Sequence, residues 1–381
     1  MNRNLEVVFI PTPKKNPVTG GEIYNLKLLQ FLRKKLKDVE SVEIGIFRMK
    51  AKKNYQMLLF GLTSIIRNFF YIYAILKKGA HHNQKTVILE DMYYSTDLFL
   101  FNFLIRRIKR NVSIVPIVHH LYYFFTENKF LLTLFRTIES IFLNESDWII
   151  ANSEATEKSI RELVKRTKKF LVAHPGLDKK KMMGRKAVGC NYSDSSSRRL
   201  NLLAVASLTE RKDFDTLLRA IRVLVDRYDE KEFFVNVIGD QEKDKCYSAE
   251  ILDTVTALAL SNHVAFRGRM ETGRLFDFYA RSDIFVSTSL HEGFGMSIAE
   301  AMYNHLPVVA TKCGAIPYLV QDGVNGFLVS PKDYEQLADR IMRLLDSEEL
   351  RKNMGDRGFD KAKEFDWNRT LNKIYRGLLE T

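Results

Sequence analysis

Short apolar stretches alternate with amphipathic stretches along almost the whole chain. The apolar stretches are rich in β-branched residues and have the length of buried strands, while the stretches between them carry apolar residues at helical spacing. Such alternation predicts parallel sheets whose strands are joined by crossover helices. The predicted strands of the first half are Leu5–Ile10, Glu43–Phe47, Thr86–Leu89, Ser113–Val118, Trp148–Ala151 and Lys169–Ala173. Those of the second half are Leu202–Ala206, Phe233–Ile238, Val264–Arg267, Asp283–Ser287, Pro307–Ala310 and Gly326–Val329.

A segment with little apolar periodicity separates the two sets of strands. It runs from Lys179 to Arg199, is basic and then serine-rich, and predicts a linker or long surface loop. We therefore expect an α/β protein with two Rossmann-like parallel-sheet domains facing a central cleft. The expected domains are residues 1–178, completed by a C-terminal helix at 367–381, and residues 200–366, with the linker at 179–199. Ligands of such sheets bind at the carboxyl ends of the strands.

The stretch from Met57 to Leu76 is apolar enough to raise the question of a membrane span. Arg67 and Asn68 interrupt it, so no run reaches the roughly 18 to 20 apolar residues that a span requires. It also falls where a crossover helix of the first domain is due. We expect a core helix with one face touching lipid.

Two glutamates, Glu292 and Glu300, bracket a predicted strand-to-helix junction in the second half. Gly293 and Gly295 between them let the backbone approach a ligand and leave amide hydrogens at a helix N-terminus, where anions bind well. Because two carboxylates would repel a phosphate, we expect them to accept hydrogen bonds from hydroxyl groups. A nucleotide sugar combines hydroxyls with phosphates, and it is the predicted ligand.

The positive charge of the chain is concentrated in its first half. Residues 1–200 hold 35 Lys and Arg against 17 Asp and Glu, a net charge of +18, whereas residues 201–381 hold 24 against 29, a net charge of −5. Aromatic residues interleave with the basic ones in the first half, which is typical of contact with an anionic membrane surface or nucleic acid. An ordinary core with lysines on its outer helices would give the same composition. Apolar runs next to basic ones, such as 98–104 followed by Arg106 and Arg107, favour the membrane.

The three cysteines, Cys190, Cys246 and Cys313, are scattered and lack metal-ligand spacing. An odd, sparse set is typical of a reducing compartment rather than of a disulfide framework. We expect a cytoplasmic protein, associated peripherally with the cytoplasmic face of a membrane if the basic half contacts lipid.

Several motifs, in order and at proper spacing, resemble glycosyltransferase family 4. The E-x7-E pattern of that family is met by Glu292 and Glu300, with Gly-Phe-Gly inside it. The remaining matches are Thr19-Gly20-Gly21, Asn152-Ser153, His174-Pro175-Gly176-Leu177-Asp178, Ala204 to Lys212, Val237-Ile238-Gly239-Asp240, Pro307 to Thr311 and Asp322 to Val329. The resemblance implies the two-domain GT-B fold and a retaining glycosyltransferase that moves a hexose-type sugar from a nucleotide diphosphate sugar to an acceptor hydroxyl. It implies no metal and no cofactor beyond the nucleotide-sugar co-substrate.

By the same resemblance, Glu300 would bind the ribose hydroxyls and Glu292 a hydroxyl of the transferred sugar. Arg211 and Lys212 would neutralise the departing diphosphate, and His119 would hydrogen-bond the donor sugar. The other residues expected to contact the donor are Gly20, Gly21, Ser207, Phe294, Gly295, Met296 and Ser297. The acceptor would be a polyol, a glycan or a lipid-linked molecule.

The chain departs from the family pattern at three places. Ser207 stands where the family commonly has an arginine, and Arg211 would supply the charge instead. Tyr318 stands where a Gly-Gly-x-Pro-Glu loop ends in glutamate, which affects donor preference. His120 follows His119 directly, and spacing alone does not distinguish them.

Two alternatives to the transferase remain open from the sequence. A nucleotide-sugar epimerase of the same fold would use the same donor site, and a basic nucleic-acid-binding protein would use the first half. We expect no nucleic acid. Asp213-Phe214-Asp215 imitates a metal-binding D-x-D motif, but it falls at the start of an amphipathic helix, which explains its acids better.

Overall fold

The computed structural model describes residues 5–10, 19–36, 39–41, 85–92, 95–108, 111–125, 128–165, 168–183, 199–227 and 233–381. The chain forms two compact units. The first comprises Met1–Pro175 and Asn368–Thr381, and the second comprises Gly176–Trp367. The chain therefore enters the second unit once and returns to the first for its last residues.

The first unit is built on a six-stranded parallel sheet. Its strands are β1 (Leu5–Ile10), β2 (Val39–Ser41), β3 (Lys85–Asp91), β4 (Val112–Val118), β5 (Trp148–Ala151) and β6 (Lys169–Val172). They lie in the order β2-β1-β3-β4-β5-β6. The described helices are α1 (Gly20–Lys35), α2 (Ser95–Ile108), α3 (Lys129–Asn144) and α4 (Glu154–Arg161), with a short 3-10 helix at Tyr122–Phe125. Strands β1, β3, β4 and β5 are almost wholly buried, as expected of a parallel sheet covered by helices.

The second unit contains another six-stranded parallel sheet. Its strands are β7 (Leu200–Val205), β8 (Phe233–Ile238), β9 (Val264–Phe266), β10 (Ile284–Ser287), β11 (Val308–Thr311) and β12 (Gly326–Val329). They lie in the order β12-β11-β10-β7-β8-β9. The order reverses next to β7, which is where ligands bind in sheets of this kind.

Helices cover both faces of the second sheet. They are α5 (Lys179–Met183), α6 (Phe214–Arg227), α7 (Lys245–Ala257), α8 (Thr272–Arg281), α9 (Met296–Tyr303), α10 (Ile316–Leu319), α11 (Tyr334–Asp346) and α12 (Glu348–Ala362). Successive side chains of a strand enter opposite cores: Leu202 packs with α6 and α11, whereas Leu203 packs with α8 and α9. A short 3-10 helix at Glu210–Lys212 precedes α6.

The last helix, α13 (Trp367–Leu379), completes the first unit. The indole Nε1 of Trp148 in β5 donates to Thr381 Oγ1 over 2.8 Å, and Lys373 Nζ donates to the carbonyl of Val172 over 2.6 Å. Thr370 Oγ1 donates to the carbonyl of His174 over 2.6 Å. The edge strand β6 is therefore held by the C-terminal end of the chain.

Each predicted strand that falls within the described ranges is present, with ends shifted by at most two residues. The predicted strand Glu43–Phe47 and the stretch Met57–Leu76 lie outside the described residues. Within the predicted linker at 179–199, Lys179–Met183 forms helix α5, and residues 184–198 lie outside the described residues. Among the described helices, none is long and apolar enough to cross a membrane.

Gly239, directly after β8, lies against the end of β7 and cannot accept a side chain without backbone movement. A Cβ at Gly239 would lie 1.7 Å from the carbonyl oxygen of Ala206. We expect Gly239→Ala to lower the free energy of unfolding by roughly 3 kcal/mol, measured by urea denaturation. Gly358→Ala in α12 is the control, since its Cβ would lie 3.5 Å from the Met302 side chain and alanine favours a helix. Equal midpoints for Gly239→Ala and the native protein would contradict this packing.

Candidate functional site

Three loops meet at the carboxyl edge of the second sheet, where the neighbouring strands β11, β10 and β7 end. The amide of Leu290 donates to the carbonyl of Arg211 over 2.8 Å, which ties the loop after β10 to the loop after β7. The amide of Ala315 donates to the carbonyl of Glu292 over 2.9 Å, which ties in the loop after β11. These main-chain bonds fix the position of the side chains that the loops carry.

A buried ion pair joins two of these loops. Lys212 Nζ, from the loop after β7, donates to Glu292 Oε1, from the loop after β10. The side chains of Lys212 and Glu292 are 12% and 13% exposed. Ser289 Oγ also donates to Glu292 Oε1 over 2.9 Å, and Arg211 Nη1 lies 3.6 Å from the same oxygen. The sequence-predicted residues Arg211, Lys212 and Glu292 are thus brought together.

The electrostatic environment keeps Glu292 ionised. Burial alone would raise the pKa of its carboxyl, but the charges of Lys212 and then Arg211 outweigh burial and lower the pKa to about 2. Burial lowers the pKa of Lys212, and Glu292 opposes that change. The cluster therefore holds two cationic side chains around one carboxylate that accepts hydrogen bonds throughout the neutral pH range.

Gly314 permits the close packing of the third loop against Glu292. Its φ is +47°, and a Cβ at this position would lie 2.1 Å from the carbonyl oxygen of Glu292. The Cys313 thiol donates to the carbonyl of Ser289 over 2.9 Å. Burial raises the pKa of Cys313 to about 11, so it remains a neutral thiol. Tyr318, which stands where the family pattern has a glutamate, lies on α10 and is 49% exposed.

Helix α9 begins at the glycine-rich segment. Gly295 is its N-cap residue with φ of +96°, and glycine has no side chain to cap the first amides of the helix, among them those of Met296 and Ser297. The Phe294 ring is 5% exposed and packs edge-to-face on Phe365, with ring centroids 5.1 Å apart. Phe294 therefore anchors the segment through its side chain, and the N-terminus of α9 has the main-chain donors that suit an anion.

Glu300 lies one helical turn further on and has a different environment from Glu292. Its Oε2 accepts a hydrogen bond from the Tyr279 hydroxyl of α8 over 3.0 Å. Burial raises the pKa of Glu300 to about 7, with the Tyr279 bond opposing and the charge of Asp178 adding to the shift. Burial, followed by the charge of Glu300, raises the pKa of Tyr279, so its phenol stays protonated and donates. Glu300 thus changes its charge near neutral pH.

The first unit contains a second polar cluster around His119, which follows β4. Its ring lies against the first turn of α1, where a Cβ at Gly21 would be 3.0 Å from His119 Cδ2. Thr19 caps this helix through a capping box with Glu22, so Gly20 and Gly21 form its first two positions. His119 is 8% exposed, while His120 beside it is more exposed.

A chain of buried hydrogen bonds orients the His119 ring. Asn25 Nδ2 donates to Asp91 Oδ2 over 2.5 Å, so Asn25 Oδ1 accepts from His119 Nε2, 3.3 Å away. This arrangement assigns the ring proton to Nε2. Burial lowers the pKa of His119, with the charge of Asp91 opposing, which favours a neutral imidazole at neutral pH.

The structure also shows where the remaining predicted residues lie. Ser207 is the second residue after β7, and the amide of Leu208 donates to the carbonyl of Asp240 in the loop after β8, so Ser207 belongs to the same sheet edge. The segment Asp213-Phe214-Asp215, which imitates a D-x-D motif, lies at the start of helix α6. Asp213 Oδ2 accepts a hydrogen bond from Thr216 Oγ1, and Asp215 forms an ion pair with Arg219. The acids of this segment are therefore engaged within α6.

Four residues of these clusters, Tyr279, Ser289, Asn25 and Asp91, were not predicted from the sequence. Asp91 ends β3 and could have been found, because a polar residue at the carboxyl end of a strand next to β4 must lie near His119. Tyr279 and Asn25 carry no such signal, because their partners Glu300 and Asp91 are 21 and 66 residues away in the chain, whereas Ser289 is only three residues before its partner Glu292.

Because the pKa of Glu300 lies above its ordinary value of 4.5, its contribution to stability is present below pH 4.5 and is lost as the pH rises towards 7. Glu300→Gln keeps an oxygen for Tyr279 and carries no charge. We expect its advantage in unfolding free energy over the native protein to grow by roughly 2 kcal/mol between pH 5 and pH 8, measured by urea denaturation. A pH-independent difference would show that Glu300 does not titrate in this range.

Residues 193–361 match the family model described as glycosyl transferases group 1. This range lies entirely within the second unit and contains the whole loop cluster with Lys212, Glu292 and Glu300. D-inositol 3-phosphate glycosyltransferase from Streptomyces griseus is 29% identical over 250 residues, which cover 60% of this chain and 53% of its own length. The chain spans about half the length of the curated relatives it matches.

Two solved structures match over almost the full length. Sucrose-phosphate synthase from Thermosynechococcus elongatus has a TM-score of 0.77 at 18% identity, and the match covers 100% of both chains. HepE from Anabaena, solved in complex with UDP-glucose, has a TM-score of 0.71 at 18% identity, with 99% of this chain and 100% of that chain covered. At such identities the likeness establishes the fold, which is GT-B. The comparisons thus show a match to glycosyl transferases group 1 within the second unit and the GT-B fold over almost the whole chain.

Proposed function

We propose that the chain is a retaining glycosyltransferase of family 4 type that moves a hexose-type sugar from a nucleotide diphosphate sugar to an acceptor hydroxyl. The observation that carries the proposal is the cluster of Arg211, Lys212 and Glu292 beside the uncapped N-terminus of α9. This cluster combines cations for a diphosphate with a permanently ionised carboxylate for a hydroxyl. It lies within the range that matches the glycosyl transferases group 1 model.

The nucleotide would bind through its ribose and its phosphates. We assign the ribose hydroxyls to Glu300, whose Oε2 already accepts from one hydroxyl, that of Tyr279. We assign the phosphates to the first amides of α9, near Gly295, Met296 and Ser297, and to Arg211. An anion at a helix N-terminus gains from both the free amides and the helix dipole.

In the transfer step, the bond between the anomeric carbon and the diphosphate oxygen breaks while the bond to the acceptor oxygen forms. The departing diphosphate takes up the proton of the acceptor hydroxyl. Arg211 and Lys212 would stabilise the charge that develops on the diphosphate, in place of a metal ion. Glu292 would hold a hydroxyl of the transferred sugar.

For the first unit we propose that His119 hydrogen-bonds the donor sugar, with Gly20 and Gly21 leaving room at the start of α1. The Asp91–Asn25–His119 chain supports this role because it fixes one tautomer of the ring. With the proton on Nε2, the Nδ1 atom is an acceptor. His119 would therefore orient the sugar as a neutral imidazole.

We propose the classes of donor and acceptor from the similar proteins. UDP-glucose is bound by HepE, which supports a UDP-hexose as the first donor to test. A D-inositol 3-phosphate glycosyltransferase is among the sequence relatives, which supports a polyol or other hydroxyl acceptor. A glycan or a lipid-linked acceptor fits the same chemistry. The basic first half supports a protein that works at the cytoplasmic face of a membrane.

A thermal-shift screen of UDP-, GDP- and ADP-sugars tests donor binding. We expect one nucleotide class to raise the melting temperature, because a ligand that binds only the folded state stabilises it. Glu300→Ala should abolish that shift, whereas Asp339→Ala on the exposed face of α11 should retain it. An unchanged shift in Glu300→Ala would refute the ribose assignment.

The role of the cations is tested by release of nucleoside diphosphate from the donor that the screen selects. We expect Arg211→Gln to lower kcat by roughly 100- to 1000-fold, the usual effect of removing one donor to a developing charge. The exposed Arg219→Gln is the matched control and should keep full activity. Release should also persist in EDTA. Loss of activity in EDTA would refute the proposal that arginine and lysine replace a metal.

A further inference from the structure

Exposed large apolar side chains are concentrated on three consecutive elements of the first unit. Among the described residues, eight such side chains are exposed, and six of them lie on α2, the 3-10 helix Tyr122–Phe125 and α3. The six are Phe103, Leu104, Phe124, Phe130, Leu134 and Ile141. Helix α3 packs on both of the other elements, so the side chains belong to one region of the unit. Apolar patches of this kind mark interaction surfaces.

The outer face of α3 carries an apolar stripe along its length. Phe130, Leu134 and Ile141 are 74%, 40% and 37% exposed and follow helical spacing, while Phe142 and Leu143 on the opposite face are buried in the core. We call Phe130, Leu134 and Ile141 the α3 stripe. A helix that is apolar on both its inner and its outer faces has more apolar surface than the protein itself covers.

The exposed charges of α3 are both positive and lie to one side of the α3 stripe, where the guanidinium of Arg136 is 5.8 Å from the centre of the Tyr123 ring. Lys129 and Arg136 are exposed, whereas Glu139, the one acid within α3, is 1% exposed. On α2, Arg106 and Arg107 are also exposed beside the apolar Phe103 and Leu104, although each is near an acid of the turn before β5. An apolar stripe flanked by cations complements an anionic lipid surface.

The polar groups between the stripe residues are already satisfied. Thr133 Oγ1 donates to the carbonyl of Lys129 over 2.9 Å, and Thr137 Oγ1 donates to the carbonyl of Thr133 over 2.8 Å. Both hydroxyls are bonded to the helix itself, so removing water from this face leaves neither without a partner. The face can therefore enter the boundary between lipid headgroups and acyl chains at little polar cost.

We propose that the outer face of α3 is the surface through which the protein lies on an anionic membrane, with the α3 stripe inserted among the acyl chains and Lys129 and Arg136 at the lipid phosphates. The proposal rests on the proposed function in one respect, that a lipid-linked acceptor would be reached at such a surface. A second copy of the chain fits less well, since pairing two identical faces brings the same cations together. An anionic bilayer attracts them.

Vesicle flotation without any nucleotide sugar tests the surface directly. We expect the full chain to bind vesicles of phosphatidylcholine with about 30% phosphatidylglycerol and to bind pure phosphatidylcholine vesicles much more weakly. Phe130→Ser combined with Leu134→Ser should reduce binding roughly 10- to 100-fold, because two apolar side chains no longer leave water. Lys129→Gln combined with Arg136→Gln should reduce it roughly 10-fold or more, and added salt should have a similar effect.

The control is Leu252→Ser, which removes a 41% exposed leucine from α7 of the second unit and should leave vesicle binding unchanged. All substituted side chains are exposed, so the melting temperatures should stay close to that of the native protein. Donor binding by the double variants should also be native. The vesicle assay tests the membrane surface and the donor-binding assay tests the proposed function, so failure of one proposal can be distinguished from failure of the other.

A tryptophan in place of Phe130 reports the depth of insertion. Both native tryptophans are buried, Trp148 at 5% and Trp367 at 8% exposure, so Phe130→Trp supplies the water-accessible signal. We expect acrylamide to quench it in solution, and we expect anionic vesicles to shift its emission to the blue and protect it. Three results would overturn the proposal: native protein that does not bind anionic vesicles, emission of the Phe130→Trp variant already shielded in their absence, or concentration-dependent dimerisation that the Phe130→Ser and Leu134→Ser changes abolish.

Discussion

The Lys212–Glu292 ion pair determines the geometry of the candidate donor site. Taking two charges out of water is costly, and attraction between them compensates only when their other hydrogen-bonding positions are also filled. Here Ser289 and Arg211 add to the contacts of Glu292, and Thr288 Oγ1 donates to the carbonyl of Lys212 over 2.9 Å. Removing one partner of such a pair typically costs roughly 3–5 kcal/mol, because the other is left buried and alone. The pair therefore sets the position of two loops that bear on one ligand.

The same ion pair also preorganises the cations for the proposed transfer step. Arg211 and Lys212 are held in place before any ligand arrives, by Glu292 and by the carbonyl of His291, which accepts from Arg211 Nη1 over 2.5 Å. Preorganised charges need little rearrangement when negative charge develops on a leaving group. Glu292 thus acts both on the sugar, as we propose, and on the cations that face the diphosphate.

The strands could be predicted from the sequence because a buried parallel strand is a short continuous run of apolar residues. The loops at the carboxyl edge then follow from the ends of those runs. The resemblance to glycosyltransferase family 4 predicts that Arg211, Lys212 and Glu292 contact one donor, and the structure brings the three together at the edge where the carboxyl ends of neighbouring strands meet. Their direct pairing could not be predicted, because the loop lengths do not specify which way a lysine side chain turns. The helix Lys179–Met183 was missed because a short lysine-rich run has no apolar periodicity. The exposure of the α3 stripe was not predicted, because sequence periodicity does not show which apolar positions a neighbouring helix covers.

Glu292 and Glu300 show why the roles within a sequence motif depend on the environment of each residue. Both carboxyls are partly buried, yet the pKa of one is about 2 and that of the other about 7. Burial raises both pKa values, so the difference comes from the neighbours. Two cations lower the pKa of Glu292, whereas Glu300 has a neutral phenol that lowers its pKa and the charge of Asp178 that raises it. A carboxylate that stays ionised at neutral pH suits a hydroxyl next to the reacting carbon, where positive charge develops. A carboxyl with a pKa near 7 accepts hydrogen bonds from a diol best once it is deprotonated. Above pH 7 the ionised Glu300 therefore lowers the stability of the ligand-free protein, and it is also in the state that binds the ribose hydroxyls best.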